Sequence, residues 1–199
     1  YEIGNVIAVV NAGLEESLSD QAEFLLASEV ADAGSIVLSR SQEVPVTKQD
    51  ATIEHLNRSL VKFGCRRQIK GDEVLRSPWN EWTEREFERV LNGGYCTESY
   101  RKPEYRENQG FQSLYYMNLQ IKKEELKEKI KEALKDLACG KLFRIKGFMQ
   151  DENEKWIELN ATQYEIQMNP VGEGQNVLIV IGEGLEEDAL AKYFGTPAR

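Results

Sequence analysis

GKLFRIKGFM, residues 140–149, is the stretch whose reading decides the fold. As a strand it sets Phe143, Ile145 and Met149 on one face and Arg144 and Lys146 on the other, with Gly140 and Gly147 as punctuation. An amphipathic helix is predicted before it, over residues 122–138. There Leu126, Ile130, Ala133, Leu134 and Leu137 form one apolar stripe among Lys and Glu residues. After it, residues 155–161 and 164–168 alternate apolar and polar side chains, as a half-buried antiparallel meander does. VLIVI, residues 177–181, is apolar throughout and reads as a central strand. A strand over 112–119 and a closing helix over 185–194 complete the unit, so residues 111–199 predict a small α/β sandwich with a mostly antiparallel sheet.

Upstream the rhythm differs. IGNVIAVV, residues 3–10, reads as a buried strand, and a helix over 21–31 follows it behind Ser19 or Asp20 as cap. SIVL at 35–38 is a second buried strand. Thr47 and Asp50 resemble a capping box ahead of a helix carrying Ile53, Leu56 and Leu60. A third strand is predicted at 66–70. Thr83 and Glu86 form a better capping box, Phe87, Val90 and Leu91 make its stripe, and Gly93 and Gly94 stop it. Strand and helix in alternation predict parallel α/β units over residues 1–94. Periodicity vanishes over 95–110, which reads as a linker, although its tyrosines suit a segment that packs on something.

Composition excludes several classes. The chain has 199 residues, 41% hydrophobic and 30% charged, with a net charge of -9. That charge argues against nucleic acid as the main partner, since phosphates call for a basic patch. No apolar run is long enough to span a bilayer, and no signal peptide is visible. A chain opening at Tyr1 rather than Met predicts an excised fragment. The cysteines, Cys65, Cys96 and Cys139, are three and scattered, which suits free thiols in a reducing cytoplasm.

Motifs for chemistry are sparse. His55 is the sole histidine, with only Glu54 beside it, which points elsewhere, and the cysteines lack ligand spacing, so no metal site is predicted. Without a GxSxG or a nucleophile–base set, no catalytic residue is predicted either. Arg144, Lys146, Trp156 and Glu158 share the polar face of the meander. They read either as a partner-contact surface or as cross-strand pairs, Arg144 and Lys146 with Glu158 or Glu165.

These motifs carry a resemblance. Gly140, Arg144, Lys146 and Gly147, a strand containing Trp156, and then Ile181, Gly182 and Leu185 resemble the C-terminal domain of the CobW family, P-loop GTPases linked to cobalamin synthesis and metal delivery. Residues 1–94 are similar to the second half of that family's GTPase domain. Residues 7–12, IAVVNA, take the place of its Val-Val-Asp-Ala strand, with Asn11 where the family has Asp. Gln21, Ala31, Asp32 and Asn57 match further positions. The resemblance implies a partial parallel three-layer GTPase-like unit, then the sandwich. It also implies that Ser39, Arg40, Ser41 and Gln42 stand where the family's Asn-Lys-x-Asp reads guanine. Gln42 has an acceptor but no charge, so the charge-assisted bonds to the base are lost; Arg40 retains a plane that can lie on it. The Walker A loop is absent from the sequence. By this resemblance no cofactor binds this chain, while GTP and Mg²⁺ belong to a full-length protein. The implied role is a partner or cargo module, with a target metalloprotein or corrinoid protein as partner. Two alternatives stay open: part of an active hydrolase with relaxed base specificity, and a scaffold that binds no nucleotide.

Overall fold

β1 (Ile7–Asn11), β2 (Ser35–Ser39) and β3 (Val74–Leu75) form a parallel sheet in that spatial order, with Ile7 opposite Ser35 and Asn11 opposite Ser39. The computed structural model describes residues 2–104, 111–151 and 153–198. The chain divides into two units, 1–104 and 105–199.

In the first unit α1 (Asp20–Ala31) and α2 (Val46–Lys62) cover one face of this sheet. Leu26, Val30, Ile36, Leu38, Leu56 and Leu60 make its core. Among the described residues the other face is covered beside β2 and β3, where Val90 of α3 (Glu84–Leu91) packs with Val37, Leu75 and Trp82. The result is a partial three-layer parallel arrangement, as expected. The strand at residues 3–10 is not buried on both sides, because nothing described covers β1 there: Ala8 and Val10 are buried, whereas Ile7 and Val9 are exposed. Ser19 caps α1 through the Ala22 N–H (3.1 Å). Thr83 and Glu86 form the expected capping box, and the Thr83 bonds hold the Glu86 carboxyl below its ordinary pKa. The weaker box is not used: α2 begins behind Pro45, so Thr47 and Asp50 lie within the helix.

The third strand was expected at 66–70 and lies instead at Val74–Leu75. Side chains explain the shift. Asn57 of α2 takes both backbone groups of Ile69, donating to its carbonyl (2.9 Å) and accepting its N–H (2.7 Å). Arg67 donates to the carbonyls of Val30, Ala31 and Ala33 at the end of α1 (2.6–2.9 Å). The segment is tied to two helices and joins no ladder. Residues 95–104 also pack on this unit. The Asp32 carbonyl accepts the Cys96 N–H (2.9 Å), and the Tyr100 ring lies 6.0 Å from that of Phe24. Residues 105–110 of the expected linker lie outside the described residues.

The second unit holds an antiparallel sheet in the order β4 (Phe111–Met117), β8 (Val177–Glu183), β5 (Lys141–Gln150), β6 (Trp156–Ala161), β7 (Ile166–Pro170). α4 (Lys123–Ala133) and α5 (Glu187–Phe194) cover one face through Leu126, Ile130, Ile145, Leu159, Val180 and Leu190. VLIVI is an interior strand, as expected. Gly147 lies where β5 meets β8; a Cβ there would run into the Val177 carbonyl oxygen.

Two expectations about faces are corrected. A bulge between Leu142 and Arg144 resets the alternation of β5. Phe143 therefore leaves the face of Ile145 and Met149 and stacks at 5.4 Å on Phe111. The long helix stops at Ala133 rather than reaching 138. Asp136 then caps a separate turn at Ala138 (3.0 Å), which rotates Leu137 off the stripe to 92% exposure and buries Cys139 instead. Among the described residues no helix is long and apolar enough to cross a membrane.

Candidate functional site

The first candidate lies at the carboxyl ends of β1 and β2, where parallel α/β sheets hold ligands. The structure brings Asn11 and Ser39–Gln42 together there. The Ala12 N–H reaches the Ser39 carbonyl (2.9 Å), and the Ser39 hydroxyl donates to the Val10 carbonyl (3.3 Å). Asn11 accepts the Gly13 N–H (2.8 Å). Arg40 adopts a left-handed backbone (φ 58°), and its Nε pairs with Glu43 at 2.8 Å. Ser41 is buried, and its carbonyl accepts from Gln49 of α2 (2.9 Å). Gln42 is exposed in the short turn Ser41–Glu43. The Ser39 hydroxyl, the Arg40 guanidinium and the Ser41 carbonyl therefore serve the fold itself, whereas the buried Ser41 hydroxyl has no partner among the described residues. Arg40 faces a carboxylate, and the exposed Gln42 has no charge with which to read a base.

The second candidate is the face of the five-stranded sheet turned away from α4 and α5. Arg144, Lys146, Trp156 and Glu158 all fall on it, as read from sequence. Their pairing differs from both predicted pairs: Arg144 Nε donates to Asn160 (2.8 Å), Lys146 stands opposite Asn160, and Glu158 stands opposite Phe148. Among the described residues Arg144, Lys146 and Glu158 form no ion pair. The sequence reading missed the apolar half of this face. Val177, Ile179 and Ile181 of β8 point outward, partly exposed, and beside them stand Phe111 (42% exposed), Tyr115 (47%) and Met117 (38%). The signal was present in VLIVI. A strand apolar on both faces is built to be covered on both.

Residues 118–196, inside the second unit, match the family model described as the cobalamin synthesis protein cobW C-terminal domain. The second unit carries a CobW C-terminal domain. The chain is also similar to two Zn(II)-bound structures of YjiA GTPase, one of the E. coli protein at 16% identity and one of a triple mutant at 15%. The TM-scores are 0.36 and 0.37, and each comparison covers 98% of this chain and 61% of the other. The chain thus spans less than two thirds of the length of the proteins it matches. No curated protein matches it.

The surroundings of several buried polar groups escaped the sequence reading. In the first unit Glu23 of α1 bridges His55 (Oε1 to Nε2, 2.6 Å) and the Ser59 hydroxyl of α2. His55 and Ser59 sit four apart on one helix face, but nothing in the sequence pairs them with α1. This is not a nucleophile–base set, because the carboxylate rather than the histidine holds the serine. In the second unit Tyr116 is buried, and its hydroxyl has no partner among the described residues; burial, with Glu187 nearby, pushes it up to about 12. Cys139 is also buried, and burial, with Asp136 beside it, raises its thiol to about 11, which makes it inert. No group of three or more His, Cys, Asp or Glu among the described residues is placed to hold a metal.

Proposed function

We propose that this chain is a docking module, the C-terminal portion of a CobW-like GTPase, acting in metal or cobalamin metabolism. It receives a target metalloprotein or corrinoid protein on the outer sheet face of its CobW domain. The observation that carries this reading is the row Val177, Ile179 and Ile181. Apolar strand residues left partly exposed, flanked by exposed aromatics and rimmed by Arg144, Lys146 and Glu158, have the anatomy of an interface with an apolar centre and a charged rim. Trp156 supplies an aromatic anchor at the edge of that face. The segment Ser39–Gln42 supports a module with degenerate guanine recognition, since Arg40 pairs with Glu43. GTP and Mg²⁺ are then the business of the full-length protein.

The test is photo-cross-linking in the native host. A photoreactive residue is placed at Glu158 on the outer face or at Lys129 on α4 of the full-length protein. A discrete adduct at position 158, weakened about tenfold by Trp156→Ala or Lys146→Glu, is expected. Equal adducts at both positions, or an adduct indifferent to both substitutions, contradict the reading.

A further inference from the structure

On the opposite side of the CobW domain an open groove of about 710 Å³ runs between the second half of α4 and the β6–β7 turn. Lys127, Lys131 and Lys135 line one wall at a spacing of four residues. Leu134 and Ile166 form an apolar floor that packs onto the core. Leu137 (92% exposed) and Tyr164 (81% exposed) stand at its rims. The turn holding Tyr164 is closed by hydrogen bonds: the Thr162 N–H reaches the Glu165 carbonyl (2.8 Å), and the Tyr164 N–H reaches the Thr162 hydroxyl (3.3 Å).

Charge here opposes that of the whole protein. The chain carries -9, yet this groove is lined by three lysines and one carboxylate, Glu165, which accepts from Gln167 (2.8 Å). Lys131 pairs with Glu128 at 2.6 Å and thereby holds that carboxyl below its ordinary pKa. Lys127 and Lys135 have no ion-pair partner among the described residues. The negative end of the helix dipole accounts for Lys131 in the last turn of α4 and Lys135 just beyond it. It does not account for an exposed leucine and tyrosine facing them across a groove.

We propose that this groove binds a short acidic peptide segment carrying an apolar side chain. The lysines meet its carboxylates, Leu134, Leu137 and Ile166 take the apolar residue, and Tyr164 closes over it. Three features select a peptide over a phosphate-bearing ligand. No helix N-terminus lines the groove to hold a dense anion, since α4 begins at Lys123, with Lys127 at its middle, Lys131 in its last turn and Lys135 beyond its end. Leu134, Leu137, Tyr164 and Ile166 give the lining an apolar part, which a phosphate has no use for. Ile166 opens β7, the edge strand of the sheet, so the groove borders a strand edge able to bond a peptide backbone.

The experiment uses fluorescence anisotropy on the purified chain. The probe is a short fluorescein-labelled peptide of glutamates punctuated by leucines, with a glutamine counterpart and leucine-free polyglutamate as controls. Saturable binding is expected that is lost in the glutamine counterpart and weakens with salt. The double variant Lys127→Glu/Lys135→Glu and the single variant Tyr164→Ala each weaken it about tenfold or more. Lys127→Gln/Lys135→Gln weakens it less and serves if charge reversal disturbs the fold, which circular dichroism checks. Affinity unchanged in these variants overturns the proposal. So does leucine-free polyglutamate binding as tightly as the probe, which leaves charge alone as the cause. Self-association of the chain that the probe fails to displace assigns the groove to a second copy and also overturns it.

Discussion

The carboxyl ends of β1 and β2 and the outer face of the CobW domain are both polar regions at places where α/β proteins bind things, yet they use their side chains in opposite ways. At the strand ends Ser39 bonds the Val10 carbonyl, Arg40 pairs with Glu43, and Gln49 seals the Ser41 carbonyl. On the outer face Lys146 and Glu158 stand beside partly exposed apolar residues and pair with no opposite charge among the described residues. A segment most of whose polar groups are satisfied internally, the Ser41 hydroxyl excepted, gains little by meeting a ligand. A face that leaves apolar area and charge in water gains from being covered. On this difference rests our proposal that the sheet face, rather than the strand ends, receives a partner.

The comparison breaks most completely at Gly147. Gly147→Val sets a branched side chain against the Val177 carbonyl and separates β5 from β8, on which the outer face depends. A cost above about 4 kcal/mol is expected, seen as loss of the cooperative urea transition of the second unit. Glu23→Ala strikes the first unit alone. It strips His55 and Ser59 of their shared partner and is expected to lower stability by about 1–3 kcal/mol in denaturant titrations, leaving the outer face intact.

Tyr116→Phe sharpens the account of the second core. Removing a buried hydroxyl without a partner is expected to be neutral or stabilising by up to about 1 kcal/mol. The sign with pH follows from the folded group titrating near 12 against about 10 in an unfolded chain. The folded state keeps its proton longer, so the stability is complete below about pH 10 and is lost as pH rises from there toward 12. The fall in melting temperature on the alkaline side should be shallower in the phenylalanine variant than in the parent. The smallest effect is expected from Lys146→Ala, within about 0.5 kcal/mol of the parent, because an exposed lysine without an ion pair supports nothing in the fold. A loss of 2 kcal/mol or more, on the order of a buried-contact deletion, would show that Lys146 serves the sheet and not a partner.

Sequence made the second unit more legible than the first, for a physical reason. Alternation with one face buried is a local pattern, and β5, β6 and β8 each show it or the apolar run of an interior strand. The bulge between Leu142 and Arg144 broke it, since one extra residue puts Phe143 out of step with Ile145 and Met149 and leaves no mark in composition. The first unit depends on distant side chains. Asn57 and Arg67 draw the 66–70 segment away from the sheet by bonds spanning between 12 and 37 residues, which no periodicity records. The charged members of the outer face were readable from alternation. Its apolar half was hidden because VLIVI reads the same whether its second face is covered by this chain or left for a partner.

The most direct measurement is a calorimetric titration of the 199-residue chain with GTP and with ATP, each with Mg²⁺. No binding heat for either is the predicted result, because this sequence holds no Walker A loop and Arg40 at the end of β2 is already paired with Glu43. Micromolar binding of GTP in preference to ATP would show that Ser39–Gln42 still forms a guanine pocket, and would contradict the account.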